Sequence, residues 1–192
     1  IMTLEEFNKL VPELQEPFKL PKWRVQSAYP KDNPTKCIVV PYIDSRMVQE
    51  RLDEVVGPAS WQNTYEPDSG AASLSILIGG TWITKTDVGT ETKVDAKKGK
   101  ASDGLKRAAV LWGIGRDLYS LGAKSLPYNA RSSHPMDIDQ KYTLSTSTAL
   151  SNYMNKISES EGLLYQLFRL NTNLKNNKEF IELLKKLKEY VK

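Results

Sequence analysis

At 192 residues, with 40% hydrophobic and 26% charged side chains, the chain has the make-up of one globular domain with room for a helical appendage. A single cysteine, Cys37, excludes an internal disulfide framework, and no stretch approaches the roughly 18 consecutive apolar residues of a membrane span. A net charge of +4 permits a polyanionic partner without requiring one. The first residues lack the basic region and apolar core of a signal peptide, so a reducing cytoplasm is the expected compartment.

Thr3-Leu-Glu-Glu6 has the capping-box form and predicts a short helix over 3–10. Residues 11–36, rich in Pro and Lys, read as an extended connector. Cys37 to Val40 predicts a short strand, in which Cys37 is buried filler rather than a nucleophile. Asp44 and Ser45 are N-cap types ahead of an apolar stripe of Met47, Val48, Leu52, Val55 and Val56, which Gly57-Pro58 stops. Trp61 to Glu66 predicts a strand. Ala72 to Ile78 and Thr81 to Val88 flank Gly79-Gly80, a strong hairpin signal. A two-residue turn pairs Ile78 with Thr81, Leu77 with Trp82 and Ile76 with Ile83. Leu74, Ile76, Ile78 and Ile83 then form a core face. Ser73, Ser75, Leu77, Trp82, Thr84 and Thr86 form a mixed face for solvent or a partner.

The stretch from Ala101 to Tyr119 predicts a helix. At about 100° per residue, Leu105, Ala108, Ala109, Trp112 and Tyr119 cluster on one side. Val110, Leu111, Ile114, Leu118 and Leu121 cover most of the other. A helix apolar nearly all round is expected to be buried. It nevertheless carries adjacent cations, Lys106 and Arg107, and no acid adjoins the pair. Burying a cation without an anion is costly, so the expected anion is external, a nucleic-acid phosphate in the first place. The alternative is an Arg that snorkels its head to water. Gly104, Gly113 and Gly115 each weaken a helix by roughly 1 kcal/mol relative to Ala, which predicts a backbone or strand packed close to them. Lys93, Lys97, Lys98 and Lys100 lead into the helix as a basic run, set against Asp95 and Asp103.

Residues 120–145 read as loop, with Pro127 and Pro135. Asp137 and Asp139 there read as solvated acids, since no third hard ligand is near. His134 is the single histidine, and no serine lies in a G-x-S-x-G setting. Helices are predicted near 147–158, 161–171 and 177–191. In the last, Phe180, Leu184, Leu187 and Val191 form a stripe beside a lysine-rich face, as in a core-docked helix, with a membrane-surface or partner helix as the alternative. A nuclease would need clustered carboxylates for metals, and Asp44, Asp87, Asp95 and Asp103 are scattered. No GxxxxGK[ST] loop is present.

Asp103-Gly-Leu-Lys-Arg-Ala108, followed by Trp112-Gly-Ile-Gly115 and Leu118-Tyr119, resembles the signature helix of the Rad-fifty-two superfamily of single-strand DNA-annealing proteins. Tyr42-Ile-Asp-Ser-Arg-Met-Val48 through Val56-Gly-Pro-Ala-Ser-Trp61 is similar to that family's first core helix and the Gly…Trp lead-in to its first strand. Asp87-Val88-Gly89 resembles the step that closes its hairpin. The likeness covers 36–121, more weakly 13–24, and is closest to the bacterial and bacteriophage branch that includes DdrA-like proteins. It implies a curved antiparallel sheet wrapped on a long helix. It also implies ring-like oligomers and a basic groove in which complementary strands are paired without ATP. The family's two inner-groove cations map onto Lys106 and Arg107. Its inner-groove Arg of the first core helix falls on Met47, preceded by Arg46. The segment between Asp87 and Asp103 is shorter than in eukaryotic members, so the outer-site lysine is not placed. Lys85, Lys93, Lys97, Lys98 and Lys100 are its candidates.

The expected protein is an α+β domain over 1–145, a curved antiparallel meander on a long central helix, that binds single-stranded DNA and oligomerises. A helical segment over 146–192 has no assigned role. The expected function is ATP-independent binding and annealing of single strands in recombination and double-strand break repair, with no catalytic residue, cofactor or metal. The competing readings are a metal-dependent nuclease and a ring-forming interaction module without annealing activity. The expected partners are single-stranded DNA, further copies of the chain, and other recombination or single-strand-binding proteins, with no membrane. The expected location is the nucleoid of a bacterial or phage-infected cell.

Overall fold

The computed structural model describes residues 1–90, 96–169 and 178–190. The chain forms two compact units. The first comprises Ile1–Pro21 with Pro41–Gly122, and the second Lys22–Val40 with Ala123–Lys192. The architecture is mixed α/β with antiparallel pairings; among the described residues the strands form two sheets, and the one in the first unit is the expected meander.

In the first unit, α1 (Leu4–Leu14) starts at the expected capping box: Thr3 N donates to Glu6 Oε2 at 2.7 Å, and Glu6 N to Thr3 Oγ1 at 3.2 Å. It passes through Pro12 and beyond the expected end at residue 10. Phe7 and Leu14 are buried and Val11 packs on the same core, so tertiary packing on both sides of Pro12 outweighs the proline. Helix α2 (Ser45–Val55) begins at Asp44, whose carboxylate accepts from Met47 N at 3.0 Å, and buries Val48 and Leu52. From it, Arg51 donates to the Glu13, Leu14 and Glu16 carbonyls at 3.2, 3.2 and 2.6 Å. It thereby ties α2 to the carbonyls at and just beyond the end of α1. The Arg51 guanidinium also lies 4.3 Å from the Phe18 ring centre.

Strands β3 (Trp61–Tyr65), β4 (Ala71–Ile78) and β5 (Thr81–Val88) form an antiparallel sheet in that order. Strands β1 (Lys22–Tyr29) and β2 (Lys36–Tyr42) belong to the second unit's sheet. The hairpin register is the expected one: Ile78 opposes Thr81, Leu77 opposes Trp82, and Ile76 opposes Ile83. Gly79 and Gly80 both have positive φ, +59° and +79°, as a two-residue turn of this hand requires. Leu74, Ile76 and Ile78 are buried. Ile83, on the same face, is 42% exposed. On the opposite face, Ser73 and Thr86 hydroxyls meet at 2.7 Å, and Ser75 and Thr84 at 2.8 Å.

Helix α3 (Ala96–Leu111) packs on β4 and β5. The expected continuous helix to Tyr119 is not present. Gly113 and Gly115, at φ of +92° and +78°, turn the chain left-handed after Leu111, and a short α4 (Leu118–Leu121) follows. The helix is also not buried all round. Leu105, Ala108 and Ala109 face the core, whereas Leu111 is 37% exposed and Leu121 is exposed as well. Among the described residues no long central helix is evident here, and the longest helix is α5 (Ser147–Arg169) in the second unit.

In the second unit, β1 (Lys22–Tyr29) lies within the stretch expected to be a connector, and β2 (Lys36–Tyr42) extends the expected strand. Strands β6 (Lys124–Asn129) and β7 (His134–Pro135) lie where loop was expected, completing the order β1-β2-β6-β7. Cys37 opposes Leu126, and both are buried. Helix α5 (Ser147–Arg169) is one helix where two were expected, and α6 (Lys178–Tyr190) follows. Trp23, fully buried, donates its backbone N–H to Ser151 Oγ and its indole N–H to Asn155 Oδ1, each at 2.9 Å. Of the predicted Phe180, Leu184, Leu187 and Val191 stripe, Leu184 is half-buried. The other three side chains lie outside the described residues. No helix among the described residues is long and apolar enough to cross a membrane.

Candidate nucleic-acid interface

Helix α3 is held against the sheet by backbone contact. A Cβ at Gly104 would lie 2.8 Å from Ala72 Cβ. One at Gly89, just past β5, would strike the Lys100 carbonyl and lie 2.6 Å from Gly104 N. The expected close packing at Gly104 is therefore a strand end pressed on the helix backbone. At Gly113 and Gly115 the neighbours are the side chains of Gln15 and Ile43. Asp103 adds a polar anchor, since its Oδ2 accepts from Thr90 N and Thr90 Oγ1, both at 3.0 Å. Burial pushes the Asp103 carboxyl up, but the two Thr90 hydrogen bonds and Lys106 outweigh it and hold it below the usual aspartate range.

Lys106 and Arg107 emerge next along α3, and each has a carboxylate beside it. Lys106 Nζ lies 3.5 Å from Asp103 Oδ1, one helical turn earlier, and Arg107 Nε lies 3.5 Å from Asp87 Oδ1 of β5. The expectation of a buried pair without an acid is thus overturned on both counts. The Arg107 side chain is 46% exposed and that of Lys106 29%. Both pairs are partly exposed, and such pairs are worth only about 0–1 kcal/mol. A phosphate can therefore compete for either cation.

The other candidates are dispersed. Lys85, on the helix-facing side of β5, donates to the Leu111 carbonyl at 2.8 Å and lies 4.5 Å from the Trp112 ring centre. It meets the C-terminal end of α3, whereas Lys97 and Lys98 are in its first turns, about 20 Å away at 1.5 Å per residue. The side chains of Lys97 and Lys98, and the whole of Lys93, lie outside the described residues. Lys100 folds over Gly70 toward the β3–β4 turn, with Nζ 3.5 Å from the Asp68 carbonyl. Arg46 is exposed in the first turn of α2 and makes no ion pair among the described residues, while Met47 packs on the core.

Arg116 was missed from the sequence. It donates from Nε to the Val110 carbonyl at 2.9 Å and from Nη2 to the Leu111 carbonyl at 3.2 Å. The signal was present: a cation just after the glycine that ends a helix is well placed for the last carbonyls. Lys85 makes room for itself here too. Its bond to the last residue of α3 means that Ile83, two residues away on the same face, lies past the end of the helix, which explains its exposure.

Asp137 is buried rather than solvated. Its carboxylate accepts from Tyr142 N at 2.5 Å, and its own N–H donates to the Tyr142 carbonyl at 3.1 Å, so it organises a turn. Among the described residues no group of three His, Cys, Asp or Glu side chains is placed to hold a metal ion.

Comparison with known proteins adds a family and two relatives. A family model described as Rad52/22 family double-strand break repair protein matches residues 6–136, more than half of the chain. A protein named single-stranded DNA-binding protein DdrA, from Deinococcus radiodurans, is 38% identical over 94 residues, 45% of this chain and 43% of that protein. Its namesake from Deinococcus deserti is 32% identical over 106 residues, 53% of this chain and 52% of that protein. The chain thus matches about half the length of these curated relatives or less. No solved structure gives a significant match.

Proposed function

Because the chain belongs to the Rad52/22 family of double-strand break repair proteins, we propose that it binds single-stranded DNA and pairs complementary strands in recombination and repair. The observation that carries this reading is the position of Lys106 and Arg107. They are adjacent and partly exposed on α3, and among the described residues each pairs with a carboxylate at 3.5 Å. Phosphates bound along them would be held by charge, without base readout. Bases turned away from the helix would remain free to test a second strand. The relatives named as single-stranded DNA-binding proteins support the ligand.

In this reading the chain acts as a homo-oligomer, and the sheet of β3 to β5 with α3 is its wrapped core. Both edge strands of that sheet, β3 and β5, lack a partner on one side within the sheet, and a neighbouring copy can extend them. A head-to-tail contact of that kind repeats until a ring closes. Pairing needs neither ATP nor metal. Lys93, Lys97, Lys98 and Lys100 form the segment that captures the incoming strand, and Arg46 adds to the holding site.

The test is fluorescence anisotropy with a labelled single-stranded oligonucleotide, run beside an annealing assay in EDTA without nucleotide. Replacing Lys106 and Arg107 together by Ala should reduce the log–log salt slope of binding by about 1.4, at about 0.7 per phosphate contact on a single strand. It should also slow annealing. An unchanged affinity and slope in a folded double mutant would refute the assignment. No acceleration of pairing by the parent protein would refute the annealing activity.

A further inference from the structure

Two cations meet at a single oxygen at the C-terminal end of α3. Lys85 Nζ reaches the Leu111 carbonyl from β5 at 2.8 Å, and Arg116 Nη2 reaches the same oxygen from the following turn at 3.2 Å. Their charged groups therefore lie within the sum of those two bonds of each other. Neither makes an ion pair among the described residues. The bonds to Leu111 and Val110 use only part of an ammonium with three N–H donors and a guanidinium with five. Two like charges this close repel. The helix end offsets only part of that, since its dipole amounts to about half an elementary charge. An anion placed on the free donors would remove the remaining imbalance.

The surroundings admit such an anion. Arg116 is exposed, and Leu111 is 37% exposed. The position is also in line with the cations already described. Leu111 is one helical turn beyond Arg107 on α3. On β5, Lys85 and Asp87 alternate onto the same face, with Asp87 against Arg107 and Lys85 against Leu111. Along the seam between α3 and β5 the order is Arg107, with Lys106 beside it on the helix, then Lys85 with Arg116.

We propose that Lys85 and Arg116 form a second phosphate seat for single-stranded nucleic acid, continuing the path of Lys106 and Arg107 by one turn of α3. This rests on the single-strand binding reading above. It separates Lys85 from the lysines at the start of the helix and assigns Arg116 a ligand as well as a cap.

The experiment is anisotropy of a labelled oligothymidylate over a range of potassium chloride, using the whole chain. The variants are Lys85→Gln, Arg116→Gln, Arg116→Lys and the Lys106→Ala/Arg107→Ala pair, with thermal unfolding followed for each. Lys85→Gln and Arg116→Gln should each lower the salt slope by about 0.7, the value for one phosphate contact on a single strand. Arg116→Lys, which keeps the charge, should keep the parent slope. Cations that only cap the helix would lower the unfolding temperature and leave the slope unchanged, which overturns the seat. If Arg116→Gln does not fold, Lys85→Gln decides by the same criterion. A slope that falls in the Lys106/Arg107 variant alone overturns this seat and leaves the wider reading standing. A parent protein that binds no oligonucleotide overturns both.

Discussion

The contact between Gly89 and α3 makes a strong prediction about stability. In Gly89→Ala the new methyl would strike the Lys100 carbonyl oxygen, with Gly104 N at 2.6 Å and Gly104 Cα at 3.1 Å. All three obstacles are backbone atoms of the helix, so none can swing aside as a side chain would. Either α3 backs away from β5, or the strand end moves and strains the Gly89 N–H bond to the Gly70 carbonyl, now 3.0 Å. Overpacking generally costs about 1–3 kcal/mol, and backbone obstacles place this case near 3. For a chain of this size that corresponds to a fall in Tm of about 6–12 °C. The assay is urea unfolding followed by circular dichroism. The midpoint should fall with the slope unchanged, as for a loss of native stability without a change in unfolded-state compactness. Single-strand affinity should fall with it, because the helix that moves carries Lys106 and Arg107. A variant within about 0.5 kcal/mol of the parent, the range of an ordinary surface change, would refute the tight approach.

Gly162→Ala tests the opposite sign. This glycine lies within α5 with nothing within 4 Å of an added Cβ, so Ala should stabilise by about 1 kcal/mol through helix propensity, and a lower urea midpoint would refute it. Asp87→Asn should tighten oligonucleotide binding, because it removes a carboxylate that competes with phosphate for Arg107; weaker binding by a folded variant would count against the interface. Asp103 predicts an acid limb. Its folded carboxyl is held below the usual aspartate range, so its contribution is fully present above the unfolded pKa and is lost as pH falls through the folded one. Asp103→Asn should flatten the decline of the urea midpoint below about pH 4, the ordinary aspartate range. Parallel profiles would show that this carboxylate does not contribute.

What was legible in the sequence was local. The hairpin register followed from Gly79-Gly80 and period-two alternation, because the turn fixes the pairing. The start of α2 followed from Asp44, and that of α1 from Thr3 and Glu6. β1 left no such mark. Only Trp23 is buried along it, so no alternation appears, and the groups that bind Trp23 are on α5. Helix α3 was overread as buried because rotation through Gly113 and Gly115 joined Leu111 to Ile114 and Leu121 on one arc. The two glycines turn left-handed, so that arc does not exist. The ion pairs divide in the same way. Asp103 lies three residues before Lys106 and was open to the ordinary helix rule, whereas Asp87 meets Arg107 only through the packing of β5 on α3. Family likeness singled out α3, and the structure supplied the exposure and the partners of Lys106 and Arg107.

The bonds from Trp23 to α5 have a consequence for synthesis. The backbone N–H of Trp23 waits for Ser151, 128 residues later in the chain. At the usual pace of a ribosome that interval is on the order of ten seconds. During it the hairpin of β4 and β5, closed by two glycines, can form from contacts close in sequence. Trp23 meanwhile lacks the part of its cover that Leu150 and Met154 of α5 supply, although Cys37 and Val39 of the same cluster are already made. A ribosome stalled before Ser151 would therefore present a chain with its hairpin complete and its second core open.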